Sequence, residues 1–287
     1  MSYPTVRIAT ESPTRQRTPE VFRGVLEQYA HDNTLGTYHS DDFTQPRTTA
    51  YTTTSTAVND GWIVGEAGAT GSASGTFSNL ADGDGVISLT GVTGTDWEGS
   101  QAQAGEASTQ GESIPLPTHS TDGRGTVVFE WRGLVNDTEA DTFFIGLAEP
   151  DMAATALLGA TGVLTDAADY IGFYRLDSGD LQFVVRNDNN GGTAVEYEID
   201  VLADADMPAA EAELKLSFRV NSDNSVEIYV DEVRVLKTSD TSADVDVPST
   251  ALPIEYLTRK LVVLRGAAGD NDPVNLETDY IDCYVAE

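Results

Sequence analysis

Glu130 stands in the strand-like run TVVFEWRGLV (126–135), with Trp131 directly after it. A carboxylate in such a run could act as nucleophile or general acid in acetal cleavage. Retaining cleavage of a glycosidic bond takes two carboxyls roughly 5 Å apart. On the Glu130 strand, the same-face positions two and four residues on are Arg132 and Leu134. The second carboxyl is missing there, so the run reads as a wall in which Glu130 pairs with Arg132 or another arginine. VEYEID (195–200) is a better acid row, with Glu196, Glu198 and Asp200 on one strand face. Its neighbours are Gly-rich turns rather than a run of aromatic residues. In a chain with 47 acids such a row reads as a solvated face. No catalytic residue is assigned, and the expectation is a protein that is not an enzyme.

Other chemistries are thinly supported. His31, His39 and His119 have no metal-ligand spacing to one another or to Cys283, which argues against zinc. Cys283 is the single cysteine, so no intrachain disulfide can form, and it reads as a small buried residue. There is no Ser-His-Asp pattern on a nucleophile turn and no phosphate loop. Calcium is the one cofactor left open. DGDG (82–85) and GDNDP (269–273) offer Asp82, Asp84, Asp270 and Asp272 on turns, and NDNNGG (187–192) is similar. A hard cation takes 6–8 oxygens, yet none of these fits the full twelve-residue loop, and Asp and Asn also build turns by themselves. Of the tryptophans, Trp131 reads as core. Trp97, in the polar segment 95–125, is the candidate for a glycan contact.

The elements that must position these residues follow from composition and pattern. The 287 residues are 40% hydrophobic, enough to build a core. Acids outnumber bases 47 to 16, a formal charge of −31, and only Lys215, Lys237 and Lys260 are lysines. Such a surface repels phosphates, so nucleic acid is excluded as a partner of the body. It keeps a protein soluble in salty water, and the Asp-rich, Lys-poor composition suggests a halophilic or marine source. No apolar run is long enough to span a bilayer and no secretory signal stands at Met1, so a soluble protein made in the cytosol is expected.

The charge is uneven. Residues 1–50 hold five arginines and six acids, and the other 237 residues hold 11 bases and 41 acids. The leader therefore suits a different contact from the body. Residues 1–17 read as an extended arm with Arg7, Arg15 and Arg17. Thr18, Pro19 and Glu20 then form a helix-start signal. Phe22, Val25, Leu26 and Tyr29 make one apolar stripe, and Gly36 is placed to end the helix. A lone helix of this length is marginal in water, so the stripe must lie on the body or on a neighbouring chain.

From about Asp41 onward, runs rich in Val, Ile, Phe, Tyr and Thr recur between Gly, Asp, Asn and Pro. LKLSFRV (214–220) alternates cleanly, and VEIYV (226–230) follows a turn, VNSDNS. About twelve strands with one helix predict an all-β, antiparallel two-sheet sandwich over residues 41–287, preceded by the arm and helix of residues 1–40. Two insertions stand apart. Residues 148–169, Ala-rich and partly helical by propensity, should cover one end of the sandwich. Residues 95–125 read as a long polar loop.

The strand order GTVVFEWRGLV, TFFIGLAE, DYIGFYRLDSGDLQFVVRN, LKLSFRVNSDNSVEIYVDEVRV and TDYIDCYVA resembles the concanavalin A-like lectin/glucanase jelly roll. More narrowly, it is similar to forms of that fold found in virion structural proteins of tailed phages or archaeal viruses, where a short N-terminal arm precedes the jelly roll. Glycoside hydrolases of that fold carry a strand motif E-x-D-x-(x)-E. This chain departs from it, since Arg132 and Leu134 follow Glu130. The resemblance implies a capsid decoration or head-fibre component displayed on the particle surface. The leader, through Arg7, Arg15, Arg17, Phe22, Val25, Leu26 and Tyr29, would fasten to the major capsid protein, another virion protein or sister subunits, with a trimer as the expected homo-oligomer. A carbohydrate-binding, receptor-recognising module for a host surface glycan is the alternative, and a glycanase is a distant third.

Overall fold

A computed structural model describes residues 21–22, 36–43, 48–52, 56–57, 61–68, 74–79, 86–92, 96–107, 109–119, 121–122, 125–135, 141–188, 194–208, 212–235, 247–266 and 274–286. The predicted helix lies outside these residues apart from Val21 and Phe22, which form a turn. Arg7, Arg15, Arg17, Val25, Leu26 and Tyr29 also lie outside them, as do the calcium candidates Asp82, Asp84, Asp270 and Asp272.

The strands in chain order begin with β1 (Gly36–Asp41), β2 (Thr48–Thr52), β3 (Thr56–Ala57), β4 (Trp62–Gly68), β5 (Ser74–Asn79) and β6 (Ile87–Val92). The middle of the chain gives β7 (Glu98–Ala107), β8 (Gln110–Gly111), β9 (Val127–Val135), β10 (Asp141–Ala148), β11 (Tyr170–Arg175) and β12 (Leu181–Asn187). The last third gives β13 (Val195–Leu202), β14 (Leu214–Val220), β15 (Val226–Val230), β16 (Val233–Arg234), β17 (Thr258–Arg265) and β18 (Val274–Ala286).

They form two antiparallel sheets. One runs β16-β15-β14-β9-β18-β6-β5-β2, with β1 also paired to β18; the other runs β13-β12-β11-β10-β17-β7-β4-β3, with β8 on β7. Neighbours in a sheet are often far apart in sequence, as β9 and β18 are. The molecule is an all-β, two-sheet jelly-roll sandwich.

Alternation decides what each strand gives to the interior. In β14, Leu214, Leu216, Phe218 and Val220 enter the core, and Phe218 stacks on Phe129 of β9 at 5.0 Å between centroids. Lys215, Ser217 and Arg219 take the outer face. The turn from β15 to β16 needs two consecutive left-handed residues, and Asp231 (φ 47°) and Glu232 (φ 68°) supply them. Trp131 is fully buried, as its neighbours predict, and its Nε1 donates to Thr278 Oγ1 at 3.0 Å.

Three expectations are corrected. First, residues 95–125 are not one long loop, because β7 is a ten-residue inner strand of the second sheet. Its sequence, EGSQAQAGEA, lacks the β-branched residues that mark strands. The reason is packing: Ala102 and Ala104 pair with Val64 and Trp62 of β4, and beside an indole only a small residue fits. Second, residues 148–169 form turns without a helix, and they cover the outer face of the second sheet rather than an end. Leu157, Leu158 and Ala168 pack there on Phe144, Tyr170, Tyr174, Val262 and Leu264. Pro150, Gly159 and Gly162 break the helical propensity of the alanines. Third, Gly36 opens a strand instead of ending a helix. A Cβ there would lie 2.4 Å from Val285 O and 2.5 Å from Tyr284 Oη, so Gly36 is required by the close approach of β1 to β18. The first sheet therefore begins inside the segment assigned to the arm.

Candidate functional site

Glu130 lies on the outer face of the first sheet, between Ser217 of β14 and Asp282 of β18. It is fully buried. The Tyr280 hydroxyl donates to its Oε1 at 2.8 Å, and Lys215 Nζ stands 3.6 Å from the same oxygen. A lysine thus stands at this oxygen, where an arginine was expected. Arg132 instead pairs with Glu213 and with Asp279, at 3.6 Å to the latter. Lys215 is shared with Glu232 at 2.9 Å.

The register also brings together two carboxylates that single-strand reasoning missed. Asp282 sits directly opposite Glu130, where cross-strand Cβ atoms are about 4.5–5.5 Å apart. Asp282 is nevertheless fully buried and accepts a hydrogen bond from Ser40 Oγ at 2.6 Å. Both acids are packed into a polar layer rather than set in a cleft.

The leader's described residues lie on this same face. Val21 and Phe22 are buried beside Val128, Tyr229, Tyr284 and Ala286, and Arg219 Nη1 donates to Val21 O at 3.0 Å. The structure therefore places Phe22, predicted to contact a partner, against the chain's own sheet.

The acid row at the sheet edge is as read. Glu196, Glu198 and Asp200 of β13 are exposed and share a face. Tyr170 donates to Glu196 Oε1 at 2.6 Å, Arg186 approaches Glu196 Oε2 at 3.3 Å, and Gln182 Nε2 donates to Asp200 Oδ1 at 3.0 Å. Burial, then the charges of Glu196 and Asp200, push the Glu198 carboxyl up. Trp97 is half-buried with φ 63°. Its six-membered ring lies over Gly162, where a Cβ would come within 2.6 Å of it. Much of the ring is therefore used in packing.

An open pocket lies elsewhere, where β1, residues 112–122 and residue 256 meet. It encloses about 610 Å³ and is lined by Thr37, His39, Ser113, Pro115, Asp122 and Tyr256, among others. Tyr256 is 38% exposed; the His119 ring backs it at 4.3 Å, and its hydroxyl bonds Asp122. Behind the pocket is a buried relay. Arg259 grips Glu112 through Nε and Nη2 at 2.7 and 2.6 Å, and gives Nη1 to Ile281 O at 2.8 Å. Its guanidinium sits 5.4 Å from the Trp62 ring centroid, a cation–π contact. His39 Nδ1 is 3.3 Å from Glu112 Oε1. Burial pulls the Glu112 carboxyl up, but hydrogen bonds and charge from His39 and Arg259 outweigh it and hold the group at about 2. The result is a rigid wall with an exposed aromatic ring, an imidazole and a carboxylate. This is chemistry for binding a polar ligand. No local sequence signal points to it, since its residues come from four distant stretches.

Cys283 is buried in the core, and burial pushes its thiol far up. Among the described residues, no group of three or more His, Cys, Asp or Glu is arranged to hold a metal ion, and no helix is long and apolar enough to cross a membrane.

No protein-family model matches this chain, and no curated protein matches it. Solved structures are similar to it. One is a prokaryotic beta-1,3-1,4-glucanase (lichenase) derived from a mouse hindgut metagenome, at 14% identity over 88% of this chain and 100% of that one, TM-score 0.46. Another is botulinum neurotoxin type C, whose cell entry depends on two ganglioside molecules, at 11% identity, 90% of this chain and TM-score 0.45; the match spans 50% of the neurotoxin chain. A third is a carbohydrate esterase from the Shiga toxin-encoding bacteriophage phi24B, at 18% identity, 83% of this chain and 100% of that one, TM-score 0.38. At such identities the likeness is one of fold.

Proposed function

We propose that this chain is a structural protein of a tailed-virus particle, of the capsid-decoration or head-fibre type, without hydrolytic activity. The sandwich stands outward on the particle surface. The leader fastens it to the major capsid protein, to another virion protein or to sister subunits, in a homo-oligomer that we take to be a trimer. The observation that carries the non-hydrolytic part is the state of Glu130 and Asp282. They face each other, yet both are sealed and each is held by a hydroxyl. The fastening part rests on the charge contrast between leader and body and on β1, which roots the leader to β18.

The test removes residues 1–17 and keeps Val21, Phe22 and β1. The truncated chain should melt like the full one but be missing from virus particles of the source culture, scored by immunogold labelling. Equal incorporation overturns the fastening role, and absence of the full chain from particles overturns the reading itself. Neither laminarin nor lichenan should yield new reducing ends. Cleavage that disappears in Glu130→Gln would make the protein a hydrolase.

A second reading, a module that recognises a host surface glycan, is favoured by the open pocket with Tyr256 on its wall. A sugar face can lie on that ring while Asp122 and His39 meet hydroxyls. A glycan array, run with and without calcium, should give hits that Tyr256→Ala removes. Hits that survive this change place the contact elsewhere, with Trp97 next to be replaced.

A further inference from the structure

On the outer face of the second sheet, under the turns of residues 149–168, lies a pocket of about 400 Å³. Its walls include Glu149, Asp151, Thr155, Leu157 and Ala168, and Lys260 of β17 lines it too. Lys260 is only 1% exposed. Its strand neighbours are Gly146 and Gln103, so no acidic side chain flanks it within the sheet. The amine donates to the backbone oxygen of Asp151. The carboxylates facing it are Asp151 and Glu149 of the covering segment. Asp169, beyond them, gives its backbone N–H to Glu149 Oε2 at 3.3 Å.

We propose that Lys260 is a covalent capture site for small, uncharged aldehydes. Three features fit that chemistry. An amine buried to 1% exposure at the wall of a pocket is desolvated, which favours its neutral, nucleophilic form. Glu149 lines the same pocket and can move a proton. The acidic rim disfavours anionic carbonyl compounds, and the pocket has room for an uncharged one. The neutral amine attacks the carbonyl carbon, forming the C–N bond and breaking the C=O π bond, while the oxygen takes a proton from the Glu149 carboxyl and the nitrogen returns one to the carboxylate, leaving the neutral carbinolamine. The carbinolamine then loses the hydroxyl as water and forms the imine. The two amine hydrogens and the carbonyl oxygen leave as that water, so nothing is oxidised or reduced. Burial pulls the amine down to about 8 against smaller opposing effects of Asp151 and Glu149. Burial, with the neighbouring charges of Asp169, Asp188 and Glu255, pushes Glu149 up.

The site is independent of the virion reading, and the chain suits a direct test because it has only three lysines. The folded full chain is treated with acetaldehyde and cyanoborohydride at about pH 8, and modified lysines are mapped by peptide mass spectrometry. Lys260 should be alkylated many times faster than Lys215, because about half its amines are neutral there. Lys215 also stays tied to Glu130 and Glu232. In urea the rates should converge. If Lys260 stays unmodified in the folded chain while Lys215 reacts, the amine is a sealed structural cation and the proposal fails.

Discussion

Two carboxylates show how surroundings decide what an acid can do. Glu130 invites a catalytic reading in the sequence because it stands in a strand-like run with Trp131 directly after it. In the fold it is a buried carboxyl held between the Tyr280 hydroxyl and the Lys215 amine. Removing one partner from such a buried pair costs roughly 3–5 kcal/mol, so structural need alone accounts for its place. Glu112 carries no such signal, yet it takes both ends of a guanidinium and the edge of an imidazole. Its folded-state pKa of about 2 lies below the ordinary 4.5, so the ionised form favours the fold. The stability it lends is fully present above the ordinary value and is lost as pH falls through the folded one. The shift corresponds to about 3 kcal/mol. Glu112→Gln should therefore melt well below the parent at neutral pH, and calorimetry should find the gap closing between about pH 4.5 and 2. A constant gap down to the acid limit would mean that Glu112 acts by packing and not by charge.

At the scale of elements, strands that build the core from large apolar residues could be read directly. β14, β15 and the turn between them follow from alternation and Asn-rich turn chemistry, because Leu, Phe, Val and Ile must point one way. β7 was opaque for the opposite reason. Its interior positions are Ala because Trp62 and Val64 fill the space beside them, and on its outer face Gln101 holds another segment. Gln101 Nε2 donates to the carbonyl oxygens of Glu66, Met152 and Ala153 at 2.6, 3.2 and 3.1 Å. A glutamine that pins a loop looks, in one dimension, like a glutamine in a loop. The clamp gives a prediction. Gln101→Leu keeps the volume but leaves those carbonyls short of a donor, at a cost of about 1–3 kcal/mol. The covering segment should loosen before the sandwich does: limited proteolysis should cut within residues 150–168 sooner than in the parent, while circular dichroism stays β-rich. Cleavage at the parental rate would show that Leu157 and Leu158 hold the segment without help.

For the whole molecule, the sandwich was legible and the open pocket was not. Layers follow from periodicity, which is local. The pocket joins residues 37 and 39, residues 113–122, residue 256 and residues 285–286, and only the β1–β18 register and the packing of the two sheets bring them together. Net charge, by contrast, is global and can be read at once. Sixteen bases cannot neutralise 47 acids. Several of the bases are already buried in specific pairs: Arg132, Arg175, Lys215 and Arg259 each hold an acid. The excess acids, such as Glu198 and Asp200 on β13, repel one another across the surface. That repulsion acts over the screening length, about 30 Å at 0.01 M salt and 3 Å at 1 M, and it destabilises the compact state. The melting temperature should therefore climb steeply with sodium chloride up to a few tenths molar and then flatten, as scanning calorimetry can follow. The buried pairs are shielded from salt, so Glu112→Gln should shift the whole curve downward without changing its shape. A melting temperature indifferent to salt would mean that the acids are spaced, or matched by bound cations, well enough that the formal charge overstates the field.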